Sequence, residues 1–360
     1  MSWNPMPIEE LWILLSQSDS PSLLKKFLTL ELYNKLKDKK TLRGGTLAHC
    51  INTGCLHFRN NAGIYACDPE AYTVFEEIFN NVIKEYHKIE SLCHPEPYYG
   101  TEEEIAALGN IDPEGKMVIS TRVRVARSHT KYPFIPACTL EDLLNMENDT
   151  VTALKTLTGE LAGQYYPLAQ MDKATEAQLV ADHYLFRHDD ITLRDAGLYK
   201  YWDTGRGIFY NEDQTFLCWV NEEDHIRLIS LQKGGDLAAV YKRLVKAIHE
   251  MEDRMTFARR DGYGYLTFCA TNLGTTLRAS VLMAIPNVSK QANFDDFLAK
   301  HNIQSRGTRG FGSAVEDGVH DLSNKHRLGL TEYEAVKEML NGVLAIKKWE
   351  EELAGMKKNA

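Results

Sequence analysis

The chain has 360 residues, 44% of them hydrophobic and 25% charged, with 41 Lys and Arg against 50 Asp and Glu for a net charge of -9. That balance excludes a disordered chain and leaves no broad basic footprint for nucleic acid, so positive charge must act locally, on a small anion. No apolar run approaches the ~20 residues that span a bilayer, and Met1-Ser2-Trp3-Asn4-Pro5 lacks the basic and apolar regions of a secretory signal, so a cytoplasmic protein without a membrane partner is expected.

In chain order, Ile8, Leu11, Leu14 and Leu15 keep helical spacing. Ser20-Pro21 then reads as an N-cap with proline at the first helical position, leading into Leu23, Leu24, Phe27 and Leu28. Phe75, Ile78, Phe79 and Ile83 share one side of a helix over 72–86, before His94-Pro95-Glu96-Pro97-Tyr98-Tyr99-Gly100 interrupts the pattern. Residues 1–95 are therefore expected as a small helical domain, 96–116 as a linker and 117–355 as a second, larger domain. From Met117 onward strand-like segments dominate, with helices near 140–161, 174–186 and 235–255. Thr331-Glu332-Tyr333-Glu334 is a capping box for a last helix running to about Leu353. The fold class is α+β: an all-helical N-terminal domain, then an antiparallel sheet flanked by helices.

The chemistry lies in the alternation. In Val118-Ile119-Ser120-Thr121-Arg122-Val123-Arg124-Val125, a period of two sets Ser120, Arg122 and Arg124 on one face and Ile119, Thr121, Val123 and Val125 on the other. Arg278, Ser280 and Leu282 alternate likewise with Leu277, Ala279 and Val281, and Arg227 lies on the strand-like 226–231. Guanidinium groups gathered on one sheet face repel unless an anion neutralises them, which points to a polyphosphate. Each arginine taken singly also fits an ordinary surface ion pair. The seven cysteines are odd in number and contain no Cys-x-x-Cys pair, which argues for reduced thiols, most of them small buried apolar residues. Cys269 is set apart by its neighbours Thr271 and Gly274.

Cys-Ala-Thr-Asn-Leu-Gly-Thr at 269–275, Ser-Thr-Arg-Val-Arg at 120–124, Asn-Glu-Glu-Asp-His-Ile-Arg at 221–227, Arg-Gly-Thr-Arg-Gly at 306–310 and Leu-Ser-Asn-Lys-His-Arg-Leu-Gly at 322–329 together resemble the ATP:guanidino phosphotransferases, or phosphagen kinases. Within that family the chain is most similar to the arginine kinases, through Gly63-Ile64-Tyr65-Ala66-Cys67-Asp68-Pro69-Glu70-Ala71-Tyr72 and 329–336. The resemblance implies reversible transfer of the ATP γ-phosphoryl group to a guanidinium nitrogen, with ATP/ADP and Mg2+ as nucleotide and metal and no protein metal site. Such transfer depends on alignment and charge neutralisation.

By the same resemblance Arg122, Arg124, Arg227, Arg278 and Arg309 hold the phosphates, and the nucleotide set extends to Ser120, Thr121, Val123, His183, Ala279, Ser280, Val281, Leu282, Gly310, Phe311, Gly312, Ser313 and Ala314. Glu223 is implied to hold and deprotonate the acceptor, with Glu222 and Asp224 steering cations around it. Cys269 is implied as a thiolate that orients the guanidinium, and Asn61, Ala62, Gly63, Ile64 and Tyr65 as the segment receiving the amino-acid end of the substrate. The family pattern is broken in four places. Ala314 stands where a loop glutamate belongs, with Glu316 two residues on; Leu282 replaces a histidine; Ala270 replaces a proline; and Asn60-Asn61-Ala62 replaces the Ser-Gly-Val of arginine-specific members. Another guanidino acceptor (taurocyamine, lombricine or glycocyamine) or a nucleotide-binding paralogue stays open, as does the choice of monomer or homodimer.

Overall fold

The computed structural model describes residues 3–59, 61–307 and 318–358. Leu11 and Leu15 bury the inner side of α1 (Ile8–Gln17), and α2 (Leu23–Phe27), α3 (Leu30–Leu36), α4 (Leu47–Leu56), α5 (Ala71–Val74) and α6 (Glu76–His87) complete the helical region. The cap of α2 is Ser22, whose side chain accepts from the Lys25 amide at 3.2 Å, two residues beyond the expected Ser20. Ser20 is otherwise engaged, donating to the Phe58 carbonyl at 2.9 Å. The expected 72–86 helix divides at Phe75, where φ is -110° and ψ 28°. Its apolar face survives the break, with Phe75, Ile78, Phe79 and Ile83 all fully buried.

The stretch expected as a linker is docked. Helix α7 (Glu102–Ala107), capped reciprocally by Thr101 and Glu104, carries Ile105 into the larger core together with Tyr99, Leu108 and Ile111. Beyond it lies an eight-stranded sheet, antiparallel at every pairing: β1 (Val118–Arg127), β2 (Gly163–Pro167), β3 (Gly207–Asn211), β4 (Phe216–Val220), β5 (Ile226–Lys233), β6 (Arg278–Ala284), β7 (Ile303–Arg306) and β8 (Val319–Asn324), in the spatial order β2-β3-β4-β5-β1-β6-β8-β7.

Helices α8 (Leu140–Leu154), α9 (Lys173–Ala181), α10 (Ile191–Asp195), α11 (Leu237–Glu252), α12 (Phe294–Lys300) and α13 (Glu332–Lys358) complete the order. Val240, Leu244 and Ile248 of α11 and Val336, Met339 and Val343 of α13 pack on Val123, Val125, Ala279 and Val281 of the sheet. The Thr331–Glu334 capping box forms, with amide contacts of 2.8 and 3.3 Å.

One strand departs from strict alternation. The β1–β6 register slips between Val118 and Ser120, so Ile119, expected on the core face, is 47% exposed on the cleft side. No described helix is long and apolar enough to cross a membrane.

Candidate active site

The face of the sheet opposite α11 and α13 carries the arginines. Arg122 of β1 lies across from Ser280 of β6, and Arg124 lies across from Arg278, a like-charge pairing that costs free energy unless an anion joins it. Burial and then the neighbouring guanidiniums of Arg227, Arg122 and Arg278 hold Arg124 well below its ordinary pKa. Arg122 is lowered to about 10, by burial and then by Arg278. Among the described residues Arg124 makes no hydrogen bond or ion pair, and Nε and Nη2 of Arg122 are buried without a partner. Arg278 and Arg227 are held instead, Arg278 by Asp321 at 2.8 Å and Arg227 by Glu222 and Glu223 at 2.8 and 3.0 Å. Arg309, Gly310, Phe311, Gly312, Ser313, Ala314 and Glu316 lie outside the described residues.

Beside this row opens a cavity of about 550 Å³. Ser120, Arg122, His183, Ser280 and Leu282 line it, together with Ile119 and Leu231. His183 arrives just after α9 at a φ of 62°, a left-handed residue that re-aims the chain. Four members of the expected nucleotide set do not face it. Thr121, Val123, Ala279 and Val281 are fully buried, the last three in the core under α11 and α13, because the same alternation that exposes the arginines turns these side chains inward. Thr121 instead donates to the Gly234 carbonyl at 2.8 Å.

Glu223 projects from the β4–β5 turn toward the helical region. The turn begins at Asn221, left-handed at φ 57°, whose side chain donates to the Gly205 carbonyl at 2.7 Å. Glu223 accepts from Arg227 at 3.0 Å and from Asn272 at 3.1 Å. Its neighbours do not steer cations from a solvated loop. Glu222 is raised by burial and paired to Arg227, while Asp224 is 2% exposed, accepts from the Phe268 amide at 2.9 Å, and is raised to about 7 by burial and then by Glu223. Asp224 thereby anchors the backbone that leads into Cys269.

The surroundings of Cys269 favour the thiol over the expected thiolate. Burial, followed by the charge of Glu223, pushes its thiol up to about 12, against the opposing contact with Thr271 at 3.0 Å. The expectation of a lowered pKa required an arginine that outweighs burial and Glu223; Arg327 acts on the sulfur but does not outweigh them.

The 61–65 segment meets Cys269 directly: Tyr65 and Cys269 form an antiparallel bridge, the Ala66 amide donates to the Phe268 carbonyl at 2.8 Å, and the rings of Tyr65 and Phe268 stack at 4.7 Å. The Asn61 and Ala62 carbonyls accept from Leu23 and Leu24, pinning the segment to α2. Gly63 sits at φ 74°, where a Cβ would lie 2.8 Å from Leu24 Cβ, and a Cβ on Gly54 would lie 1.8 Å from the Gly63 carbonyl. Gly63 thus lets the segment approach α2, and Gly54 lets it lie flat on α4.

Sequence reasoning passed over Arg327 and Trp219 as site residues. Arg327, 9% exposed just past β8, donates to Asn272 Oδ1, and Arg278 is the leading charge acting on its guanidinium after burial. Its signal was its place directly after a strand that neighbours β6. Trp219 has two arginines near its ring, Arg122 at 5.5 Å and Arg227 at 5.4 Å, with its indole N–H donated to the Tyr184 carbonyl at 2.6 Å. Its signal was the register that pairs it with Arg227. Among the described residues no three His, Cys, Asp or Glu side chains gather to hold a metal ion.

The chain is similar from end to end to known proteins. Residues 18–84 match the ATP:guanido phosphotransferase N-terminal domain, and residues 145–353 match the ATP:guanido phosphotransferase C-terminal catalytic domain. An arginine kinase of Haliotis madaka is 56% identical over 353 residues, 98% of each chain, and one of Turbo cornutus is 54% identical over 94% of this chain and 95% of its own. Among solved structures, the duplicated taurocyamine kinase from Schistosoma mansoni with bound transition state analog components superposes with a TM-score of 0.92 at 44% identity, over 97% of this chain and 49% of that chain. A lombricine kinase superposes with a TM-score of 0.87 at 35% identity, over 93% of each. With both domains matched in order and relatives this similar from end to end, the chain belongs to the ATP:guanido phosphotransferase family.

Proposed function

We infer that the chain is an arginine kinase, transferring the ATP γ-phosphoryl group reversibly to the guanidinium of L-arginine to give phosphoarginine and ADP. The observation that carries the reading is the uncompensated arginine row ending beside Glu223 and Cys269. Among the described residues Arg122 and Arg124 make no ion pair, and a polyphosphate supplies the charge they lack. Arg278 and Arg227 complete the clamp once their carboxylate partners release them, and Arg309 belongs to it by sequence. Mg2+ would be carried on the nucleotide phosphates, whose charge it neutralises; a cationic floor suits that arrangement and not a bare divalent ion.

At the other end, a guanidinium must be held and lose a proton before its nitrogen can attack. Glu223 has both oxygens committed, to Arg227 and Asn272, so an incoming guanidinium takes over the ion pair now made by Arg227. That exchange frees Nη2 of Arg227 for phosphate as the acceptor arrives, while Nη1 stays on Glu222, and so couples the two pockets. Glu223 then accepts the acceptor's proton. Cys269, with a neutral thiol until a cation is beside it, gains thiolate character from the bound guanidinium and orients it. The reading extends to a cytoplasmic enzyme of energy buffering, monomeric or homodimeric.

A second reading, an acceptor other than arginine, is favoured by Asn60-Asn61-Ala62 and by the likeness to taurocyamine and lombricine kinases. A third, a nucleotide-binding paralogue, is favoured by Ala314 and Leu282. Turnover of MgATP with arginine, taurocyamine, lombricine, glycocyamine and creatine, against a Cys269→Ala control, separates all three. Turnover confined to arginine is the expected result. Turnover on another acceptor reassigns the substrate, and ATP binding without any turnover overturns the enzyme reading.

A further inference from the structure

Beneath the acceptor segment lies a set of groups that phosphoryl transfer does not use. Cys50 on α4 and Cys67 bring their sulfurs within 3.8 Å, and Asp68 Oδ2 lies 3.9 Å from Cys67 Sγ. The three residues are at most 1% exposed. The geometry orders the thiols, with Cys50 donating to Cys67 and Cys67 donating to Asp68. Asp68 is fixed in turn by Thr41 Oγ1 at 2.5 Å and the Ala71 amide at 2.9 Å. A carboxylate is costly to bury unless its partners use it, and here it terminates a line of two thiols. Neither cysteine pairs with anything that packing alone would require.

The pair is also wired to the site. The Cys50 carbonyl accepts from the Tyr65 amide at 2.9 Å, and Tyr65 bridges to Cys269, two residues before Cys67 in the chain. Movement of Cys67 relative to α4 is therefore movement of the segment that faces the acceptor.

We propose that Cys50, Cys67 and Asp68 form a dithiol site that a hydroperoxide converts to a disulfide, and that this bond displaces the acceptor segment and slows phosphoryl transfer. Cys50, burial and Asp68 hold Cys67 protonated, so its proton passes to Asp68 in the same step in which its sulfur attacks one peroxide oxygen. An S–O bond forms, the O–O bond breaks, and the departing hydroxide takes the proton from Asp68 as water. The Cys50 sulfur then attacks the sulfenic sulfur of Cys67. The S–S bond forms, the S–O bond breaks, and the second hydroxide leaves as water with the proton of Cys50. Two thiols lose two electrons, hydrogen peroxide gains them, and two waters are released.

The test uses the full-length enzyme, treated with hydrogen peroxide, alkylated and digested without reduction. The exposed Cys93 serves as the internal control for reagent access. The expected result is a peptide pair joined through Cys50 and Cys67 and lighter by two hydrogens. It is accompanied by a fall in kcat/KM for the guanidino acceptor, with nucleotide affinity unchanged, and dithiothreitol reverses both. A segment misplaced by on the order of 1 Å costs up to ~10²-fold, and the loss is expected within that range. Cys50→Ala and Cys67→Ala should each abolish the link and the reversible loss, and either suffices if the other fails to fold. The proposal is overturned by no link after Cys93 has fully reacted, by a link that leaves acceptor kinetics unchanged, or by a reversible loss that persists in both variants. The kinetic arm rests on the arginine kinase reading. The link is read by mass alone, so failure of that reading and failure of the dithiol are distinguishable.

Discussion

The donor face and the acceptor corner of this molecule solve opposite electrostatic problems. On β1 and β6 Arg124 is set directly against Arg278, and among the described residues Arg124 has no ion-pair partner while Arg278 has Asp321, so the face carries positive charge that an anion relieves. Around Glu223 the groups are already engaged, Arg227 with Glu222 and Glu223 and Asn272 with Glu223 and Arg327, and the acceptor has to replace an existing ion pair. The first arrangement favours affinity for any polyphosphate. The second favours discrimination, because only a cation of the right shape displaces Arg227 without leaving a buried charge alone.

The largest effect that would test this contrast is at the carboxylate. Glu223→Gln should lower kcat by ~10²- to 10⁴-fold with nucleotide affinity held, read by steady-state kinetics beside calorimetry; an equal loss of ATP binding would mean the two regions are not separable. Next comes Arg124→Ala, which removes a charged hydrogen-bond donor worth about 1.5–3 kcal/mol and should weaken ATP by roughly 10- to 10²-fold, with acceptor KM nearly unchanged. If ATP instead binds more tightly, relief of the Arg124–Arg278 repulsion outweighs the lost contact and the donor-face argument fails.

Val123→Ala sharpens the boundary from behind the sheet. It should cost about 1–3 kcal/mol of stability in chemical denaturation and leave the KM for ATP where it was; a shifted KM would put the core face in the nucleotide site after all. The smallest effect is on stability against pH. His87, His94 and His129 are each pushed down to about 4, chiefly by burial. The unfolded chain binds these protons near 6.5 and the folded chain does not, so their contribution is complete above 6.5 and is lost as pH falls toward 4. The urea midpoint should fall between pH 7 and 5, and a midpoint that rises there would contradict it.

What could be read from the sequence follows the same division. The arginine row was legible because a strand has a period of two and one face was apolar; Arg122, Arg124 and Arg278 needed nothing more. That periodicity also explains the error at Ile119, where a one-residue slip in register breaks the rule that placed it. The acceptor corner obeys no period. Glu223 sits on a turn started by a left-handed Asn221, and Cys269 owes its raised pKa to burial between domains that no local pattern encodes. The supposed linker at 96–116 shows the limit most simply: its prolines and glycine announced a break in helix, and only the tertiary core reveals that Ile105, Leu108 and Ile111 are docked.

Trp219 gives the molecule an optical reporter of its own chemistry. An indole beside two guanidiniums emits in the field of both. A polyphosphate arriving at those charges alters the field at the ring, so emission should shift without any label. Binding to the donor face is thus readable in the ultraviolet fluorescence before a single phosphoryl group has moved.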